Sequence, residues 1–133
     1  GIGKRAFSEM CSYVKTRQIN ATQTLADQQL MQAMIADSAA DLAAARALVI
    51  QTAWTVENQG FKAAKENISL IKFYTANVLQ RVVDRALQSH GGLGVTDDTI
   101  LSHFYRDERA ARIYDGPDEV HKLSVARKIL KAE

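Results

Sequence analysis

Proline and glycine, the residues that most often interrupt helices, are scarce in this sequence: its 133 residues include one proline and seven glycines. Four of the glycines and the single proline lie in two short segments, residues 88–94 and 115–117. Because Gly and Pro are the strongest local breakers of regular structure, the rest of the chain is free to form long helices. Chemistry that needs a loop is therefore expected at these two segments.

The sequence also has a single cysteine, little excess of positive over negative charge and no long apolar run. A single cysteine, Cys11, excludes an internal disulfide framework and a metal cluster built from cysteines. The formal net charge is +2, and no run of like charge exceeds three residues, which argues against nucleic-acid binding. No apolar run approaches the roughly 18 residues of a membrane-spanning helix, so we expect no membrane span.

Helical periodicity is what the sequence does have. Apolar residues make up 47% of the chain and recur every three or four positions over residues 6–17, 25–58 and 61–90. This spacing predicts a first helix ending near Ile19 and two long helices, the second capped by Thr22 or Thr24 and stopped by Gly60. The helix over residues 61–90 has a second apolar flank, which predicts a central position or a surface that faces a partner.

The C-terminal third predicts one short helix and one longer helix. Thr96, Asp97 or Asp98 is suited to cap a short helix over residues 100–104, and residues 106–114 continue it helically or with a kink. Pro117 suits the first turn of a last helix that runs to about Lys131. With no strand pattern, the sequence predicts an all-α fold, an antiparallel four-helix bundle that forms a single domain over residues 1–133.

The glycine segment at residues 88–94 reads QSHGGLG. It is not a dinucleotide fingerprint, because that motif needs a preceding strand and G-x-G-x-x-G spacing. It is either a helix stop or a place where a ligand approaches the backbone closely, since glycine leaves N–H groups uncovered.

Three arginines recur every third residue at Arg106, Arg109 and Arg112. One interpretation is a solvated helix face with ion pairs to Asp107 and Glu108. The other is that one or two of these guanidinium groups fix a carboxylate or bind a phosphate.

Two acids near the last break invite a chemical interpretation. Asp115 stands at a sharp helix-to-helix turn, where it is either an ordinary turn residue or a carboxylate held away from the helix surface for catalysis. Asp118 and His121 have the spacing of a metal-binding pair. A di-metal helical bundle needs two Glu-x-x-His motifs and two further carboxylates; because the sequence holds no second copy, we expect no metal site.

Taken in order, these motifs resemble the C-terminal helical domain of acyl-CoA dehydrogenases. That domain carries a Gln-x-x-Gly-Gly-x-Gly turn, an Arg-Asp-x-Arg helix and an Ile-Tyr-acid-Gly turn. The matching residues here are Gln88-Ser-His-Gly91-Gly92-Leu-Gly94, Arg106-Asp107-Glu-Arg109 and Ile113-Tyr114-Asp115-Gly116. One branch of the family reads Asp-Gly-Pro-Asp-Glu-Val-His after the Tyr, as residues 115–121 do.

The resemblance implies FAD-dependent oxidation of an acyl-CoA thioester to the 2,3-enoyl-CoA. Asp115 would be the catalytic base that removes the α-proton, and Gly116 would contact the substrate. The backbone N–H of the base and the flavin ribose would polarise the thioester carbonyl. Asp115 is one methylene shorter than the Glu that is common in the family.

The resemblance also implies a set of cofactor-binding residues: Arg17, Gln28, Gln88, Gly91, Gly92 and Glu119. Those of the glycine segment would line the FAD adenosine or pyrophosphate of a neighbouring subunit. Three positions depart from the family's usual residues: Asn20-Ala21 replaces Phe-Gly, and Pro117 replaces a Thr whose hydroxyl contacts flavin. Glu119 replaces a frequent Gln.

The partners that the resemblance implies are acyl-CoA, an electron acceptor that is electron-transfer flavoprotein or oxygen, and further copies of the chain in a homodimer or homotetramer. The family's N-terminal helical and middle β domains are absent from residues 1–133. We therefore expect the C-terminal part of a longer intracellular flavoenzyme, inactive alone; bacterial cytoplasm, mitochondrion and peroxisome all fit. The alternative is a stand-alone helical module for assembly or protein binding.

Overall fold

Helices account for most of the chain in the computed structural model, which describes residues 1–132. The five α-helices are α1 (Ile2–Thr16), α2 (Gln29–Gln59), α3 (Phe61–His90), α4 (Ile100–Asp107) and α5 (Asp118–Ala132). Short 3₁₀ segments occupy Leu25–Asp27, Gly91–Val95 and Glu108–Arg112. Residues 1–132 contain no strand, only an isolated bridge between Gln18 and Thr24. The predicted all-α fold is confirmed, as are the four main helices and the short one.

None of the helices in residues 1–132 combines the length and the apolar content that a membrane crossing requires.

Tertiary contacts displace some of the predicted helix ends. The predicted end of α1 near Ile19 is wrong: the helix ends at Thr16, because Arg17 is extended (φ −73°, ψ 103°) and leads into the bridge between residues 18 and 24. The prediction that Thr22 or Thr24 caps the second helix is wrong, because α2 begins only at Gln29. Thr24 instead caps a separate 3₁₀ turn, and its N–H donates to Asp27 Oδ2 at 2.7 Å.

The N-cap of α4 is Thr99, so the prediction of Thr96, Asp97 or Asp98 is wrong. These three residues are engaged elsewhere. The Asp98 N–H donates to Thr96 Oγ1 at 3.3 Å, and Arg106 Nη2 donates to Asp97 Oδ1 at 3.1 Å.

Helix α3 lies at the centre of the bundle and packs against α1, α2, α4 and α5. The second apolar flank on this helix is therefore explained by its central position within the chain. Its buried apolar residues are Ala64, Ala76, Val78, Val82, Val83 and Ala86. Along α2 the buried residues Met31, Ser38, Ala45 and Thr52 recur at heptad spacing, as an amphipathic helix facing a core requires.

An ion-pair cluster links α2 to α3 on the bundle surface. Asp41 Oδ1 lies 2.8 Å from Arg81 Nη2, and Asp41 Oδ2 lies 2.7 Å from Arg85 Nη1. The hydrogen bond from Arg81, helped by that from Arg85, lowers the pKa of Asp41 to about 2.

We expect Asp41→Asn to destabilise the protein by about 1–2 kcal/mol at neutral pH. Because the folded-state pKa of Asp41 lies below its unfolded value, the carboxylate contributes fully above about pH 4 and loses its contribution as pH falls through 2. Thermal midpoints measured from pH 7 to pH 2 should therefore converge for the two proteins. Asp37→Asn, which changes an exposed acid one turn away, is the matched control. A difference in thermal midpoint between wild type and Asp41→Asn that stays constant at all pH values would contradict the stabilising role of the Asp41 carboxylate.

Candidate functional site

The turn between residues 112 and 118 carries an unusual backbone conformation. Asp115 has a φ of +54° and is the only residue other than glycine with positive φ within residues 1–132. Gly116 follows with a φ of +94°. Two successive left-handed residues turn the chain sharply between the Glu108–Arg112 segment and α5, and the Asp115 side chain is left exposed. No cationic side chain of the described residues pairs with its carboxylate.

The two ends of this turn are tied together and to α3. Arg112 Nε and Asn77 Nδ2 each donate to Asp118 Oδ2 at 2.8 Å. Asp118 is only 1% exposed, and burial alone would raise its pKa. The hydrogen bonds from Arg112 and Asn77 outweigh that effect and hold the pKa below its ordinary value. The turn is therefore closed by an ionised, buried carboxylate.

The arginine run divides between two roles. Arg112 fixes the carboxylate of Asp118, as the second interpretation of the run requires. Arg106 pairs with Asp97 and not with the neighbouring acids of the run. Asp107 is instead paired with His103, whose Nδ1 lies 3.2 Å from its Oδ2.

His121 reaches back from α5 to the turn. Its Nε2 lies 3.2 Å from the backbone oxygen of Asp115, and its Nδ1 lies 3.3 Å from Ser69 Oγ on α3. A Cβ on residue 116 would lie 2.8 Å from His121 Nε2, so the ring packs directly against Gly116. His121 and Asp118 thus have different partners, and residues 1–132 hold no cluster of three or more His, Cys, Asp or Glu side chains that suits a metal ion.

Tyr114, the residue before Asp115, lies at the edge of an apolar cleft. Lys72 Nζ donates to the backbone oxygen of Ala111 at 2.7 Å and lies 5.4 Å from the centre of the Tyr114 ring. Tyr114 lines a cleft of about 850 Å³ between α1, α2 and α3, together with Phe7 and Leu42. The cleft therefore begins one residue from Asp115.

The glycines that follow α3 have separable structural roles. Gly91 has φ +57° and ψ −137°, a conformation open to glycine. A Cβ on Gly94 would lie 2.4 Å from the backbone oxygen of Leu87. A Cβ on Gly92 would meet no atom of the described chain within 4 Å. The helix-stop interpretation thus accounts for Gly91 and Gly94, whereas Gly92 leaves its backbone open to an approaching molecule.

Two of the other predicted cofactor residues lie at the same end of the bundle. The rings of Tyr13 and His90 stack with centres 4.0 Å apart, which brings the ends of α1 and α3 together. Arg17 and Gln88 are both exposed there. An exposed guanidinium and exposed glycine backbone at one end of the bundle suit an anionic group such as a pyrophosphate, although the Gly91 N–H itself donates to the Gln88 carbonyl oxygen. The residues present therefore fit the phosphate portion of a dinucleotide.

The remaining predicted residues lie elsewhere. Gln28 is half-buried at the start of α2, and Glu119 is exposed in the first turn of α5, close to Asp115 in sequence. Asp118 contacts Asn77, which precedes Gly91 by about four helical turns, or roughly 20 Å along α3. Within one chain, then, the structure does not bring Asp115 together with the glycine segment.

Sequence reasoning missed the partners that hold the turn. Asn77 lies 41 residues before Asp118, and Ser69 lies 52 residues before His121. The only local signals were the polar residues Ser69 and Asn77 beside the apolar stripe of α3. A polar residue alone does not identify its distant partner.

Known proteins resemble this chain over nearly its whole length. The family model described as "Acyl-CoA dehydrogenase, C-terminal domain" matches residues 1–130. The chain is 41% identical over its full length to "Probable acyl-CoA dehydrogenase FadE2" of Mycobacterium tuberculosis, of which it covers 32%. It is 33% identical to "Caffeyl-CoA reductase-Etf complex subunit CarC" of Acetobacterium woodii, with 98% of this chain and 34% of that protein covered.

A solved structure shows the same arrangement. Butyryl-CoA dehydrogenase from Megasphaera elsdenii superposes with a TM-score of 0.88 at 25% identity, over 97% of this chain and 33% of that one. The chain therefore spans about a third of the length of these relatives.

Proposed function

This chain belongs to the acyl-CoA dehydrogenase family, whose C-terminal domain it matches, and we propose that it acts within a longer flavoenzyme that oxidises an acyl-CoA thioester to the 2,3-enoyl-CoA. The observation that carries the proposal is the turn at Asp115: an exposed carboxylate without a cationic partner in residues 1–132, on a left-handed residue whose flanks are fixed to α3.

Asp115 is proposed as the base that takes the α-proton of the thioester. An unpaired carboxylate keeps its lone pairs available for a proton, and covering it in the assembled enzyme would raise its basicity by removing water. The enolate that develops needs hydrogen-bond donors at the thioester oxygen. The backbone N–H groups of Asp115 and Gly116 donate to no acceptor in the described chain, so both are available for that oxygen.

FAD, when bound, would accept the β-hydride that leaves as the α-proton is removed. Arg17, Gln88, Gly91 and Gly92 would hold its phosphate and adenosine portion, since they combine a cation with exposed glycine backbone at one end of the bundle. Because this end lies far from Asp115 in the same chain, we propose that the two groups serve different active sites of an oligomer. Gln28 and Glu119 are the proposed flavin-side contacts, for which the resemblance alone argues.

Exposed apolar side chains support an assembly of subunits or domains. Leu30 is 84% exposed, Trp54 57% and Leu130 77%, on α2 and α5. Single exposed apolar residues are ordinary, whereas contiguous exposed apolar patches mark surfaces that associate. Ile50 is 54% exposed and lies one turn before Trp54 on the same side of α2. We propose a homodimer or homotetramer in which this domain forms part of the subunit interface.

The electron acceptor and the direction of reaction are also proposals. One relative is described as a subunit of a reductase–Etf complex and another as a dehydrogenase. By microscopic reversibility, a carboxylate that removes the α-proton in oxidation returns it in reduction. We propose oxidation, with electron-transfer flavoprotein or oxygen as acceptor, because the relative with 41% identity is the one described as a dehydrogenase.

The full polypeptide that contains residues 1–133 should be yellow, and acyl-CoAs added without oxygen should bleach its flavin absorbance. Residues 1–133 alone should show no turnover, because Asp115 is exposed and a catalytic base needs a site from which water is excluded. Absorbance spectra during titration with acyl-CoAs of several chain lengths provide the measurement. A colourless polypeptide that stays indifferent to FAD and acyl-CoA would favour the stand-alone assembly module instead.

A further inference from the structure

The conformation of Asp115 needs a partner to hold it. An L-residue with a Cβ is disfavoured at φ +54°, although Asp tolerates this region better than most residues. Strained residues persist where their surroundings over-determine them. The Arg112–Asp118 pair closes the ends of the turn, but neither side chain hydrogen-bonds to Asp115 itself. Within residues 1–132 the one side chain that hydrogen-bonds to Asp115 is that of His121.

The chemistry of the two partners fixes the direction of the hydrogen bonds to His121. A backbone carbonyl can only accept, so Nε2 carries the proton and donates to the Asp115 oxygen at 3.2 Å. In the neutral ring, Nδ1 then accepts from the Ser69 hydroxyl at 3.3 Å. The ring thus connects the backbone of Asp115 to a buried residue of the central helix.

The turn is shaped to admit this ring. A Cβ at residue 116 would come within 2.8 Å of His121 Nε2, closer than real Cβ atoms approach. Gly116 also has a φ of +94°, which L side chains rarely adopt. Glycine at this position therefore permits both the reversal of the chain and the contact between the ring and the Asp115 carbonyl.

We infer that His121 is a positioning residue, whose Nε2–H holds the carbonyl of Asp115 and thereby sets where its carboxylate points. This inference rests on the proposed role of Asp115 as the base. His121 takes no proton from the substrate and contacts no reacting atom; it acts through the backbone of its neighbour. Displacing a reacting group by about 1 Å costs roughly 100-fold in rate, so loss of the contact should slow proton removal and leave binding intact.

The test compares His121→Leu with His121→Gln in the full flavin-loaded polypeptide. Leucine removes the donor, whereas the glutamine amide supplies one at a similar distance along the side chain. We expect kcat to fall by about 10- to 100-fold in His121→Leu with KM and flavin content unchanged, and an increased isotope effect with α-deuterated acyl-CoA. His121→Gln should recover most of the rate. Ser69→Ala keeps the Nε2–H donor of His121 and removes only the second hydrogen-bond partner of the ring. It should therefore lower kcat less than His121→Leu does.

The outcomes separate this inference from the proposed function. Wild-type rates in His121→Leu, or equal losses in the Leu and Gln variants, would overturn the positioning role while Asp115 could still be the base. If the wild-type polypeptide does not react with acyl-CoA, or if the Asp115→Asn variant reacts as fast as the wild type, the proposed function itself is overturned.

A spectroscopic measurement tests the inference without turnover, and it applies even where the Leu variant does not fold. In wild-type protein labelled with ¹⁵N-histidine, with His121→Gln used to assign the signal, the ring shifts should report a proton on Nε2. A ring protonated on Nδ1 alone could not donate to the Asp115 carbonyl, and that result would contradict the inference.

Discussion

Replacing Asp115 with Asn in the full polypeptide should lower turnover by about 100- to 10,000-fold, the usual contribution of a general base, while the flavin stays bound. Asn matches Asp in size and tolerates positive φ, so the turn at φ +54° should persist. An amide cannot take the α-proton. Steady-state rates, normalised to bound flavin measured by absorbance, provide the comparison.

The controls for Asp115→Asn separate the loss of a base from the loss of a charge. Asp37→Asn removes an exposed carboxylate on α2, away from the turn, and should retain the wild-type rate. Asp115→Glu restores a carboxylate one methylene longer, so it should lose less activity than the Asn variant. Normal turnover in Asp115→Asn would end the assignment of this residue as the base.

Gly92→Val should reduce bound flavin by at least about tenfold and leave the fold of the flavin-free protein intact. A Cβ on Gly92 meets no atom of the described chain within 4 Å, so the new side chain has room within the subunit. It would, however, cover the backbone that we propose to face the dinucleotide. Flavin content per polypeptide and the thermal midpoint of the apoprotein are the two measurements.

Gly94→Ala is the matched contrast to Gly92→Val. Its Cβ would lie 2.4 Å from the Leu87 carbonyl oxygen, so this smaller change should lower the thermal midpoint of the apoprotein. Opposite effects of the two substitutions would separate a glycine kept for a ligand from one kept for packing. Full flavin content in Gly92→Val would refute the ligand-facing role.

Features determined by local chemistry could be predicted from the sequence. Helix α3 has the predicted bounds because glycines stand directly before and after its apolar pattern. The turn at Asp115 was located because Gly116 and Pro117 follow it, and neither continues a helix easily. In both places the determining residues lie within a few positions of the feature that they determine.

Features determined by contacts between distant segments could not be predicted. Thr16 ends α1 because the following residues form a bridge with residue 24, which no helical propensity encodes. The spacing of Asp118 and His121 is that of a metal-binding pair, yet Asp118 is buried against Asn77 and Arg112. The two ring nitrogens of His121 contact Ser69 and the Asp115 carbonyl.

The most direct test of the central claim is α-hydrogen exchange, since it isolates the step assigned to Asp115. Wild-type polypeptide and Asp115→Asn, matched for bound flavin, would be incubated with acyl-CoA in deuterated water without oxygen, and the recovered thioester analysed by mass spectrometry. We predict that the wild type introduces deuterium at the α-carbon and that Asp115→Asn does not. Equal exchange by both proteins would show that another group removes the proton, and would contradict the account.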